Sequence, residues 1–289
     1  MNDNTQSIQW FPGHMAKTRR KIKEILPLID AVAEVVDARI PLSSRNPELK
    51  KLIGDKPHII LLNKCDMADK RVTDGWINHY KNQGITAISI DCKSGKGLNH
   101  FKDTVKIALK EKLELYAKKG MVGKPLRVMV VGIPNVGKSS FINKIAGNTK
   151  AKVENRPGVT RGNQWFTIDK QLELLDTPGV LWPKFEDQTV GEHLAFTGAV
   201  KDRILDTELL SMRLLEILGE NYRENLEKRY GALDFDCDSY DLLCQIGKKR
   251  GMVIRGGETD TERAANMLLE EYRNCKIGYI SLERADNNA

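Results

Sequence analysis

The chain has 289 residues, 40% of them apolar and 29% charged, with a net charge of +7 from 46 Lys and Arg against 39 Asp and Glu. That apolar content supports a real core and excludes an intrinsically disordered chain. No apolar run approaches the roughly 20 residues that a membrane-spanning helix needs, so no membrane partner is expected.

The first twenty residues are polar and basic, unlike a secretory leader. Cys65, Cys92, Cys237, Cys244 and Cys275 form no CxxC pair, which argues against a disulfide framework or a zinc ribbon and for a cytoplasmic location. The charge is uneven. Residues 1–189 hold 32 basic and 20 acidic side chains, and residues 190–289 hold 14 and 19, so a polyanionic partner is favoured for the first part only.

Lys17, Arg19, Arg20, Lys21 and Lys23 crowd a stretch whose Ile22, Ile25, Leu26 and Ile29 could pack on the body, with Pro27 to end or kink the helix. A basic helix suits salt-sensitive phosphate contacts, and a solvated charged face is the alternative. From about residue 31 to 176, short β-branched runs alternate with amphipathic stretches, predicting a mostly parallel sheet with crossover helices on both faces. The expected strands are Ala31–Val36, His58–Leu62, Ile85–Ile90, Arg127–Val131, Gln164–Ile168 and Leu172–Leu175. The clearest helix is Gly97–Tyr116, with Leu98, Phe101, Val105, Leu109 and Leu113 facing the sheet.

After about residue 190 the strand signal ends. Thr207–Leu218 reads as a helix capped by Thr207 and stopped by Gly219, with Leu210, Leu214, Ile217 and Leu218 on one face. Ser239–Ile246 before Gly247 and Asp260–Arg273 repeat the pattern, the latter with Ala265, Leu268, Leu269 and Tyr272 in line. The expected organisation is an α/β domain over residues 1–189 and a small all-helical domain over 190–289. The helical part carries one dense basic cluster, Lys248-Lys249-Arg250, with Arg255 nearby.

Three motifs stand at the ends of expected strands. Asn63-Lys64-Cys65-Asp66 follows His58–Leu62 and fits NKxD. Its Asp66 carboxylate can accept from guanine N1–H and the 2-amino group, which adenine cannot offer, while the Lys64 stem can pack on the base. Gly132-Ile133-Pro134-Asn135-Val136-Gly137-Lys138-Ser139 fits GxxxxGK[ST] between a strand and a helix. There, backbone N–H groups converge on phosphate, Lys138 serves the outer phosphates, and the Ser139 hydroxyl suits Mg²⁺. Ser140 follows in the same turn. Asp176-Thr177-Pro178-Gly179 ends the last strand; its carboxylate can hold the Mg²⁺ water shell and the Gly179 N–H can reach a γ-phosphate. Each motif alone has a bland reading as a surface turn. Their coincidence at one edge of an α/β sheet predicts a guanine nucleotide site for GTP or GDP.

The order is unusual. NKxD comes first, Asp91-Cys92-Lys93 takes the place of an SAK-like loop, and the phosphate loop, Thr160 and DTPG follow. This is the order of a circularly permuted P-loop GTPase. With Trp10-Phe11-Pro12-Gly13-His14-Met15 near the start and Asp37-Ala38-Arg39-Ile40-Pro41 after the first strand, the chain resembles the ribosome biogenesis GTPase A family over roughly residues 8–280. The resemblance implies a late assembly factor of the large (50S) ribosomal subunit. Its partners would be 23S rRNA and ribosomal proteins, and its C-terminal domain would be similar to helical RNA-binding ANTAR domains. A monomer is expected.

Ras-like enzymes place a Gln just after DxxG to orient water; here Val180 and Leu181 cannot, so slow intrinsic hydrolysis is expected. The resemblance offers His14 as the catalytic group, with a structural clasp or RNA contact as its alternative. It also implies that Asn135 helps to hold K⁺ near the bridging oxygen, where a fixed cation would stabilise developing charge; a loop Asn bonding its own backbone is the alternative. Thr160 is the candidate switch threonine for Mg²⁺. Two rival functions stay open here: a GTP- or GDP-sensing RNA-binding module without relevant hydrolysis, and a GTPase acting on another RNA.

Overall fold

The apolar and β-branched runs between residues 31 and 176 form seven strands: β1 (Ala31–Asp37), β2 (His58–Asn63), β3 (Thr86–Ser89), β4 (Leu126–Val131), β5 (Lys152–Glu154), β6 (Gln164–Asp169) and β7 (Leu172–Asp176). The computed structural model describes residues 20, 22–121, 123–147, 152–154, 164–177, 187–200 and 206–285. The strands make one sheet in the order β3-β2-β1-β4-β7-β6-β5. The first five in that order run parallel, while β6 pairs antiparallel with β7 and β5 antiparallel with β6. Every residue of β1 is buried, as expected of a central strand covered on both faces. The short edge strand β5 was not anticipated, because a three-residue run carries too little periodicity to register.

Crossovers are made by α1 (Leu49–Ile53), α2 (Lys70–Asn82), α3 (Phe101–Ala108), α4 (Lys110–Lys118) and α5 (Lys138–Gly147). The long helix expected over 97–116 is broken. A 3₁₀ turn at Leu98–His100 leads into α3, and Leu109 (φ −111°, ψ 19°) separates α3 from α4. Leu98, Phe101, Val105 and Leu109 are buried, and Leu113 is half-buried. Four-residue steps drift around a straight 3.6-residue helix, so the stripe cannot stay on one side without a bend.

The chain divides into two compact units, Met1–Glu186 with Glu283–Ala289, and Asp187–Leu282. The division falls three residues before the expected one, and the last seven residues group with the first unit. The second unit holds α6 (Gln188–Phe196), α7 (Thr207–Asn221), α8 (Arg223–Tyr230), α9 (Ser239–Lys249) and α10 (Thr261–Arg273) around a core that includes Leu214, Leu215, Leu218, Leu243, Leu268 and Leu269. Aspartates cap four of these helices: Asp187 accepts from Thr189 N, Asp206 from Glu208 N and Leu209 N, Asp238 from Asp241 N, and Asp260 from Arg263 N. Each such cap contributes about 1 kcal/mol.

Asp206 therefore caps α7, not Thr207 as expected, and the helix runs past Gly219 to Asn221. Gly247 also lies inside its helix. It is a packing residue, because a Cβ there would come 2.4 Å from Thr259 Cγ2 and 3.2 Å from Ala264 Cβ.

Candidate guanine nucleotide site

The parallel strands end on one edge of the sheet, and β1 and β4 are the neighbours at which the chain order switches direction. That crevice is where open α/β sheets take ligands. Asp37 ends β1, Asn63 ends β2, Val131 delivers the chain to Gly132 from β4, and Asp176 ends β7.

Asn63 joins three loops. Its buried side-chain Oδ1 accepts from Cys92 N at 3.2 Å, and its Nδ2 donates to Val136 O at 2.7 Å. Residues 29 and 73 positions away are thereby fixed by one amide. Cys65 N adds a bond to Ile90 O at 3.2 Å. Gly137, at φ +96°, passes directly over this amide; a Cβ there would meet Asn63 Nδ2 at 2.2 Å. Only glycine serves, for backbone geometry and for space.

The loop Gly132–Ser139 is anchored by buried Ile133 and Val136, while Asn135, Ser139 and Ser140 are exposed at its mouth. Gly132 is a second close approach, since a Cβ would lie 2.7 Å from Val35 O. Lys138 opens α5 and forms an ion pair with Asp176 Oδ1. Asp176 is set beside Val130 by strand pairing, and the next residue, Thr177, donates its hydroxyl to Val130 O at 2.7 Å. Phosphate-loop lysine, candidate magnesium carboxylate and Ser139 thus share one edge. A carboxylate already paired with a cation, beside a hydroxyl at a helix N-terminus, fits a hydrated Mg²⁺ between protein and phosphate.

Lys64 adopts a left-handed backbone (φ +61°) and gives its ammonium to Asp37 Oδ2 at 2.9 Å. Asp37 also accepts from Arg39 Nε (3.0 Å), Arg39 Nη2 (2.8 Å) and Arg39 N (3.1 Å). Burial opposes ionisation of Asp37, but the Arg39 and Lys64 charges overcome it and hold the carboxyl far below the usual range. Asp91 is pushed up by burial and pulled down by Ser94 and the N–H groups of Lys93 and Ser94, ending below its ordinary value. Asp66, exposed at the mouth, is raised by partial desolvation first and by the Asp91 charge second. Burial pushes the Cys92 thiol up to about 12, and raises Cys65 as well, so neither serves as a thiolate.

The structure therefore brings together Asn63, Lys64, Asp91, Cys92, Val136, Gly137, Lys138 and Asp176, with Cys65, Asp66, Lys93, Asn135, Ser139 and Ser140 in the same loops. His14, Thr160 and Gly179 lie outside the described residues, as do Lys17, Arg19 and Lys21. Sequence reasoning gave Asp37 and Arg39 no role in the site; a carboxylate at a strand end with an arginine two residues on is a weak signal until Lys64 is seen to reach it. The basic cluster of the helical unit is partly spent on its own fold. Lys249 donates to Ala232 O, and Arg250 lies 5.1 Å over the Tyr230 ring and 3.8 Å from Glu271.

A phosphate loop tied by one buried amide to an NKxD loop, on a parallel sheet with the motif order rotated, defines a circularly permuted P-loop GTPase. Residues 127–228 match the family model described as 50S ribosome-binding GTPase. The chain is 50% identical over 279 residues to ribosome biogenesis GTPase A of Priestia megaterium, covering 96% of each chain. It is also similar to the GDP-bound structure of TM YlqF, with a TM-score of 0.65, 28% identity and coverage of 92% of this chain and 100% of that one. GNP-bound YlqF from T. maritima gives a TM-score of 0.64 at 28% identity, covering 93% and 99%. The chain belongs to the ribosome biogenesis GTPase A family. It is a GTP hydrolase that takes GTP, GDP and Mg²⁺. No helix among the described residues is long and apolar enough to cross a membrane.

Proposed function

We propose that this GTPase is a late assembly factor of the large ribosomal subunit, binding the precursor particle through 23S rRNA and ribosomal proteins in its GTP form and leaving on hydrolysis. The observation that carries the reading is the Asn63 amide between Val136 O and Cys92 N, which makes base reader and phosphate loop one site. In this reading Asp66 accepts from guanine, the Lys64 stem covers the base, and Lys93 borders it. The loop from Asn135 to Ser140 wraps the phosphates, and Gly179 meets the γ-phosphate.

Ser139, Asp176 and Thr160 would hold Mg²⁺, which supplies charge neutralisation at the phosphates. Asn135 would help to hold K⁺. Its left-handed backbone (φ +63°) is one that asparagine tolerates better than most residues. Val180 offers no group to orient water, so the group must come from elsewhere, and the family resemblance assigns that catalytic role to His14.

In this proposal the permuted GTPase domain expected over 1–189 also takes residues 283–289, and the rest of 190–289 is the ANTAR-like RNA-binding domain of a cytoplasmic monomer. The direct test is co-sedimentation of the full chain with purified large subunits. Comigration with a non-hydrolysable GTP analogue and its loss with GDP are expected; equal binding in both states would refute a GTP-gated factor.

A further inference from the structure

The end of the chain returns to the base-reading corner of the sheet. Glu283 directly follows Leu282, the last residue of the helical unit. Its buried carboxylate accepts from Leu42 N at 2.5 Å, from Ser43 N at 3.0 Å and from the Ser43 hydroxyl. Its carbonyl accepts from Trp76 Nε1 at 3.1 Å. Two residues on, Ala285 is buried in a cluster with Val36, Ala38, Leu62, Trp76 and Tyr80. These contacts fall on the segments that precede and follow Asn63–Asp66 in the chain. Ser43 belongs to the loop that leaves β1, and Trp76 to the helix α2 that Asp69 caps just beyond the NKCD turn.

A buried carboxylate is costly unless charge-assisted bonds surround it, and the buried N–H groups of a loop need acceptors. Glu283 meets both needs at once. Ser44 continues the chain of contacts: its hydroxyl accepts from Asp37 N at 2.9 Å and donates to Ile40 O at 2.7 Å. Asp37 in turn holds Lys64 at 2.9 Å. A continuous series of hydrogen bonds and neighbouring residues therefore runs from Glu283 through Ser43 and Ser44 to Asp37 and Lys64.

We propose that Glu283 is a positioning residue for guanine recognition: it fixes the loop that sets Asp37, and Asp37 fixes Lys64 for the base. The proposal rests on the reading of Asn63–Asp66 as the guanine loop. Through Glu283, the residue that directly follows the helical unit in sequence acts on the loop that sets the base reader.

The test uses the full chain carrying Glu283→Gln, which keeps size but turns an amide N–H toward a backbone donor, and separately Ser43→Ala, which deletes a single hydroxyl. GTP, GDP and ADP are titrated by calorimetry, single-turnover hydrolysis is measured at saturating GTP, and melting is followed without nucleotide. Glu283→Gln is expected to weaken GTP and GDP by the same factor, about tenfold, with the hydrolysis rate constant unchanged. Ser43→Ala should shift both in the same direction by less. If both variants melt lower but keep the wild-type Kd for GTP and GDP, or if GTP alone weakens, the positioning role is refuted. Wild-type protein that holds ADP as well as GDP would instead refute the guanine reading itself, so the two failures are distinct.

Discussion

Replacing Asn63 with Ala probes the joint between the two halves of the site. The side chain is buried and makes two hydrogen bonds, to Val136 O at 2.7 Å and from Cys92 N at 3.2 Å. Truncation leaves a carbonyl and an N–H without those partners in a dry corner, at about 1–3 kcal/mol for each group left unsatisfied. Water entering the new space recovers part of this, so a net cost of roughly 2–4 kcal/mol is expected. Nucleotide binding requires the phosphate loop and the NKxD loop in their observed register, so the cost falls on Kd, which should rise by about one and a half to three orders of magnitude. Calorimetric titration of GDP into wild type and Asn63→Ala measures it, with circular dichroism confirming that the fold persists. A folded variant whose Kd stays within about threefold of wild type, a change of well under 1 kcal/mol, would show that the loops do not depend on this amide.

Replacing His14 with Ala should leave GTP affinity intact and abolish the turnover stimulated by large subunits; undiminished stimulation in a multiple-turnover phosphate-release assay ends its catalytic assignment. Hydrolysis should run several-fold faster in KCl than in NaCl at equal ionic strength, and equal rates would remove K⁺ from the mechanism. Desolvation and the Asp91 charge raise the free Asp66 carboxyl, whereas guanine in the proposed site would bind its ionised form and lower it. Binding therefore releases a proton as pH falls through the raised value. GDP affinity should drop on acidification at a pH above the ordinary carboxylate value of about 3.9, and Asp66→Asn should flatten the profile. Calorimetry across pH checks both, and a profile unaltered by the substitution would discard Asp66 as the titrating group.

The strands were legible because sheet strands packed into a core write themselves as apolar runs: β1, β2, β3, β4, β6 and β7 each match the expected run to within a residue at either end. Helix limits were less so. Gly219 and Gly247 looked like stops, yet both lie inside helices, Gly247 in close packing against Thr259 and Ala264, and the acceptor at the start of α7 is Asp206 one residue earlier. Motif residues announced their loops because phosphate and base chemistry restrict the usable side chains. The contacts joining those loops were invisible. Nothing in the local pattern around Asn63 shows that its amide reaches Val136, and nothing around Glu283 points to Ser43, 240 positions away. Such pairings follow from sheet order, which hydrophobic periodicity leaves undetermined.

The central claim is that Asn63–Asp66 and Gly132–Ser139 grip the two ends of one guanine nucleotide. The sharpest measurement is a calorimetric comparison of GDP, ADP and xanthosine diphosphate on wild type and on Asp66→Asn. Wild type should bind GDP and reject ADP; the variant should lose GDP by several orders of magnitude and gain xanthosine diphosphate, whose C2 oxygen accepts from the new amide. Equal binding of GDP and ADP by the wild type, or a variant that keeps GDP, would contradict the account.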